Sequence, residues 1–188
     1  MASGKFVHLH NHTEYSLLDG AQKISQLVRR AKELEMPAVA MTDHGNLFGA
    51  IKFYKEAKKE GVKPIIGCEA YLAPGTRFDK SPNQGPHARP YYHLILLAEN
   101  IVGFKNLMKL ASAAYTEGFY YRPRIDKELL RAHSSGLICM TACLSGEIPT
   151  HLRRDDPEGA ARALDEYLAI FGAQNVYLEI QDQGSRRK

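Results

Sequence analysis

Cysteine is scarce. The 188 residues include three, Cys68, Cys139 and Cys143, an odd number with no CxxC pair. A disulfide framework is therefore not expected, and a reducing cytoplasm is the expected compartment. No apolar run approaches the ~18 residues that a membrane span needs. Met1-Ala2-Ser3-Gly4-Lys5 leads straight into Phe6-Val7-His8-Leu9-His10, a start too short and too polar for a signal peptide. Charge of one sign is not in excess either. The net charge of +4, with His neutral, is too small to predict nucleic-acid binding from electrostatics alone. The basic residues are dispersed. Arg122, Arg124, Arg153 and Arg154 could hold phosphates, but such residues are mostly solvated surface. There is no P-loop, no GxGxxG and no GxSxG, which removes the common nucleotide cradles and the serine-hydrolase elbow. Repeats and low-complexity tracts are absent too.

What is present is an ordinary globular composition, 44% hydrophobic and 24% charged, of a length that suits one domain with a real core. Short apolar runs alternate with helical patterns. Phe6 to Leu9, Ala38 to Met41, a segment around Ile65-Ile66, Tyr91 to Leu97, Leu137 to Met140 and Val176 to Ile180 read as strands. Helices are expected where Ile24, Leu27, Val28 and Ala31 share a face, and from Leu47 to a stop at Gly61. Further helices are expected from Phe104 to Tyr115, from Lys127 to Ala132, and after the Asp156-Pro157 cap. The order predicts an α/β domain with a mostly parallel sheet, as an open doubly wound sheet or a closed barrel. Ala73 to Pro90 is the one long irregular stretch, a length usually functional or mobile.

The chemistry-bearing residues fall just after strands. His10 and His12 follow the first, Asp43 and His44 the second, Glu69 the third and Cys143 the fifth. In a parallel sheet those ends share one edge, where active sites form. The donors are imidazole, carboxylate and thiolate, which suit Zn²⁺, Mn²⁺ or Fe²⁺. His10-Asn11-His12 is an i, i+2 pair whose rings would share a face on a strand; alone it is weak evidence, and with the other sites it favours a metal. Asp43 could orient an imidazole, act as a base, or simply cap the helix that follows. Glu69 stands after a wholly apolar pair, where a carboxylate needs a partner. His93 fits the edge less well, lying inside its apolar run, and Asp19 reads by position as a turn residue. Cys143 has the alternative of a small buried residue, which Cys68 and Cys139 fit better. His87, His133 and His151 lie in loop or helix-end contexts and read as solvated.

His8-Leu9-His10-Asn11-His12-Thr13, followed by Tyr15-Ser16-Leu17-Leu18-Asp19-Gly20, resembles the first motif of PHP (polymerase and histidinol phosphatase) domains. The Ser-x-x-Asp-Gly version is similar to that of the C-family bacterial replicative DNA polymerases. Met41-Thr42-Asp43-His44-Gly45-Asn46-Leu47-Phe48-Gly49 and Lys63-Pro64-Ile65-Ile66-Gly67-Cys68-Glu69-Ala70-Tyr71 resemble the second and third motifs. His93-Leu94, Glu117-Gly118-Phe119-Tyr120, Pro123-Arg124-Ile125-Asp126 and Cys143-Leu144-Ser145-Gly146-Glu147 extend the likeness over nearly the whole chain.

The resemblance implies a PHP-type distorted (β/α) barrel with metals at the C-terminal strand ends, spanning residues 1–183 with a tail at 184–188. It implies metal ligands at His10, His12, Asp19, His44, Glu69, His93 and Cys143, a catalytic or orienting Asp43, and no ligand role for His8. The family's last two ligands, an Asp and a His of a later motif, have no counterpart here, so a C-terminally truncated barrel with an incomplete site is expected. Up to three Zn²⁺ or Mn²⁺ ions would be the cofactors of a complete domain. The implied parent is a DNA-directed DNA polymerase acting on a primer-template, with this domain a metal-dependent 3′–5′ exonuclease used in proofreading. The alternatives are an inactive structural module that binds the separate proofreading exonuclease and, more distantly, a small-molecule phosphatase.

Overall fold

The computed structural model describes residues 6–17, 19–81 and 89–181. Helix α1 (Ile24–Glu33) buries Ile24, Leu27, Val28 and Ala31, the one-face spacing seen in the sequence. Strand β1 (Ala38–Met41) follows, then α2 (Ala50–Glu60), which ends on Gly61 at φ 76°, a left-handed conformation that glycine adopts at little cost. Strand β2 (Lys63–Leu72) is the longest of the sheet, and β3 (Tyr92–Ala98) comes next. Helix α3 (Ile101–Thr116) starts where the Asn100 side chain accepts from the amides of Val102 and Gly103. Strand β4 (Arg124–Ile125), α4 (Lys127–His133) and β5 (Leu137–Met140) precede α5 (Glu147–Leu152). Helix α6 (Pro157–Phe171) has the expected Asp156 cap and Pro157 in its first turn, and β6 (Val176–Tyr177) completes the described sheet.

The strand order is β1-β2-β3-β5-β6, with β4 paired to β2. β1 lies parallel to β2, β2 to β4 and β5 to β6, whereas β3 runs antiparallel to both β2 and β5. The α/β reading holds, with the correction that β3 reverses the sheet's direction at its centre.

Pleating sorts the side chains onto two faces. Cys68, Ala70, Leu72, Leu94, Leu96, Leu137 and Cys139 pack beneath α3, α4 and α6, while Val39 and Met41 pack against α1 and α2. Ala40, Ile95, Leu97 and Met140 form a smaller cluster on the other face, with Ile65 and Ile138 against it. That inner face lines a cavity of about 600 Å³ shared by Leu9, Ile65, Leu97, Ile138, Met140 and Tyr177.

Four further expectations are corrected. Phe6 to Leu9 forms no regular strand. It runs beside β1 with a sparse pairing, in which the Ala40 amide donates to the His8 carbonyl and that of Thr42 to Asn11. The sixth strand stops at Tyr177 rather than Ile180. Glu69 is not past its strand but within it, opposite Ile95, because β2 leaves β1 and continues along β3. His151 is not simply solvated, since its Nδ1 lies 2.7 Å from Asp156 Oδ2. The tail at 184–188 and His87 lie outside the described residues.

Candidate metal centre

Three backbone devices bring the chemistry together. The turn after β1 is laddered onto β2, where the Glu69 amide donates to the Asp43 carbonyl and the Gly45 amide to the Glu69 carbonyl. Gly45 has φ 62°, and a Cβ there would stand 2.9 Å from both Pro123 and Tyr71, so only glycine turns here without strain. Next, the stretch from His10 to Ser16 is fixed by Asp43. This fully buried carboxylate accepts from the Thr13 amide (2.6 Å), the Thr13 hydroxyl (2.7 Å) and the Ser16 hydroxyl (2.7 Å). Finally, the reversed direction of β3 sets its first residues at the same edge as the far end of β2, with His93 opposite Tyr71. The His93 amide also donates to the Ser145 carbonyl, which draws in the Cys143 loop.

Glu69 is the hub. Its Oε2 lies 2.6 Å from His12 Nε2, 3.0 Å from His44 Nδ1 and 3.3 Å from His10 Nε2, and its Oε1 lies 2.7 Å from His93 Nδ1. Asp19 Oδ2 is 2.7 Å from His44 Nε2 and 3.8 Å from His12 Nδ1. Three overlapping groups result, His10–His12–Glu69, His12–Asp19–His44 and His44–Glu69–His93. In each, one donor atom per residue lies within 4.8 Å of the others, a spacing at which a cation could be shared. Among the described residues the buried His44 Nδ1 has no hydrogen-bond partner despite its approach to Glu69, which leaves a lone pair or proton unused in the middle of the cluster. Cys143 stands beside the triads, its Sγ 3.9 Å from His93 Nδ1 and accepting from the Ser145 amide. Ala142, just before it, takes φ 59°, a left-handed conformation that costs an alanine about 1–2 kcal/mol.

The electrostatics follow from this crowding. Burial alone would push the Glu69 carboxyl up, but the surrounding imidazoles outweigh it and hold the group far below the usual carboxylate range. Burial pulls His10 down; hydrogen bonds to Glu179 and Glu69 overcome it and raise the ring to about 10. His93 is raised to about 9, burial again being outweighed, here by Cys143 and Glu69. His44 is raised by Glu69 and Asp19 against the same burial. The Cys143 thiol is lowered, because His93 and the Ser145 amide outweigh burial. Cys68 is pushed up to about 12 by burial and is an inert core thiol, as its place on the apolar face of β2 suggests. A site that draws protons onto its imidazoles presents the same field to a metal cation.

Every expected ligand position therefore lies in one neighbourhood. The sequence reading missed Glu179, which lies 2.7 Å from His10 Nδ1, although it too stands just past a strand. It also missed Thr13 and Ser16, whose hydroxyls hold Asp43.

The chain belongs to the PHP domain family, whose model matches residues 8–183. It is 52% identical over 184 residues to the DNA polymerase III subunit alpha of Treponema pallidum, covering 98% of this chain and 16% of that protein. It is 54% identical over 180 residues to the subunit of the same name from Borreliella burgdorferi, covering 96% and 15%. For the Thermus aquaticus subunit the identity is 53% over 182 residues, covering 96% and 15%. The chain thus spans about one-sixth of these relatives' length.

Proposed function

We propose that this chain is the PHP domain of a bacterial replicative DNA polymerase alpha subunit, and that its site hydrolyses phosphodiester bonds at DNA 3′ ends in proofreading. The observation that supports this reading is the set of three overlapping His–carboxylate triads, two of which share one buried glutamate. His10, His12, Asp19, His44, Glu69, His93 and Cys143 would hold divalent cations, Zn²⁺ or Mn²⁺. Bound cations supply Lewis acidity, which makes hydroxide available near neutral pH and offsets the charge that the phosphate gains. The protein's own part is to pre-position donors. Glu69 serves two triads, and Asp43, its oxygens already accepting from Thr13 and Ser16, orients the His10–His12 segment rather than taking a substrate proton. Identity to polymerase alpha subunits favours a primer-template as substrate and replisome subunits, including a separate proofreading exonuclease, as partners.

The test uses the full-length protein. Elemental analysis should find tightly bound metal, and labelled DNA should be shortened from its 3′ end. His10→Ala should abolish that shortening and spare polymerisation. A metal-free protein would sink the reading. Metal without DNA hydrolysis would leave a structural and interaction module, and preference for a phosphate monoester would indicate a small-molecule phosphatase.

A further inference from the structure

We infer that Glu179 is a positioning residue that sets the tautomer and orientation of His10 and so aims its Nε2 into the metal centre. The inference rests on the metal-binding reading above. His10 has two ring nitrogens facing two carboxylates: Nδ1 lies 2.7 Å from Glu179 Oε1, and Nε2 lies 3.3 Å from Glu69 Oε2. An ionised carboxylate accepts and cannot donate, so the Glu179 contact places the proton of a neutral ring on Nδ1. Nε2 is then the nitrogen with a free lone pair, and it is the one that points at the His12–Glu69 group. Carboxylates that hold the far nitrogen of a metal-ligating imidazole work in this way.

Glu179 is built for that task. Its side chain is about 8% exposed, and among the described residues its ion-pair partner is His10. Its backbone amide donates to the Thr141 hydroxyl (2.9 Å), while the Thr141 amide donates to the Tyr177 carbonyl, so the stretch after β6 is tied to the end of β5. The Gln181 side-chain amide donates to the same oxygen, Glu179 Oε1 (2.5 Å), and its nitrogen lies 3.2 Å from His10 Nδ1, so it braces the carboxylate where it meets the ring. Among the described residues Glu179 Oε2 is buried with no hydrogen-bond partner. The bland rival is a clasp: an ion pair that merely ties the N-terminal segment to the β6 edge, with no consequence for the metal.

The two are separated in the full-length protein by titrating Co²⁺ into wild type, Glu179→Ala and Glu179→Gln. Visible absorption reports the ligand field, equilibrium dialysis the affinity, and circular dichroism the fold. Glu179→Ala should weaken Co²⁺ binding by roughly 10- to 100-fold and shift the absorption bands, the scale of loss expected when such an outer partner is removed. Glu179→Gln keeps an acceptor for the Nδ1 proton and should recover most of the affinity and the wild-type band positions. It also guards against an alanine variant that fails to fold. Unchanged affinity and bands in Glu179→Ala would overturn the inference alone and leave the metal centre intact. A glutamine variant as impaired as a misfolded alanine variant would also overturn it, in favour of the clasp. A wild-type protein that takes up no Co²⁺ would overturn the inference together with the metal-binding reading beneath it.

Discussion

At the scale of single residues the centre depends on a few buried polar groups with no substitutes. Ser16 donates to Asp43 and accepts from the His44 amide, so it ties both halves of the site together. Ser16→Ala should destabilise the protein by about 1.5–3 kcal/mol, the range for hydrogen bonds to charged groups, as read from urea denaturation. It should also weaken metal uptake, because His44 loses its anchor. A pH effect follows in the metal-free protein. His10 and His93 are raised to about 10 and about 9, above the ordinary imidazole value. A raised folded-state value means that protonation favours the fold. Their contribution is fully present below about pH 6.5 and is lost as the pH climbs through 9 and 10. Chelator-treated protein should therefore melt at a lower temperature at pH 9.5 than at pH 7 in a thermal scan. His10, His12, His44 and Glu69 were legible in the sequence because each follows or ends an apolar run. Glu179 was not, because the sequence reads as a strand through Ile180 and so puts this acid inside the strand rather than after it.

At the scale of elements, the direction of β3 was hidden. A pleated strand alternates with the same period whichever way it runs, so Tyr91 to Leu97 announces a strand and not its polarity. Only the pairing with β2 shows that His93, at the start of β3, shares an edge with residues at the ends of other strands. The helices were more legible, since the α1 spacing and the Asp156-Pro157 cap are local signals. Local signals mislead at Gly103, near the start of α3. Propensity favours alanine in a helix by about 0.5–1 kcal/mol. A Cβ at Gly103, however, would lie 1.7 Å from the Gly136 carbonyl oxygen. Gly103→Ala should therefore cost at least about 1–3 kcal/mol, the usual range for overpacking, and lower the urea midpoint.

At the scale of the whole molecule, fold and metal should be coupled. A cation that binds only the folded chain stabilises it by about 2.7 kcal/mol when present at one hundred times its dissociation constant. EDTA should thus lower the melting temperature, and Zn²⁺ or Mn²⁺ should restore it. Glu69→Ala should abolish that response, since Glu69 belongs to two of the three triads. If EDTA leaves the melting temperature of the wild type unmoved, the cluster is not a metal centre.

The alternation along β2 has a further consequence. Glu69 and Tyr71 face the histidines, while Cys68, Ala70 and Leu72 face the helices. Deleting a single residue between Lys63 and Gly67 would transpose these two sets. The carboxylate would be driven into the greasy layer under α3 and an alkyl group would be offered to the imidazoles. Such a frame slip would damage the interior and the reactive pocket at one stroke, so length variation is far less tolerable in this strand than in the loops around it.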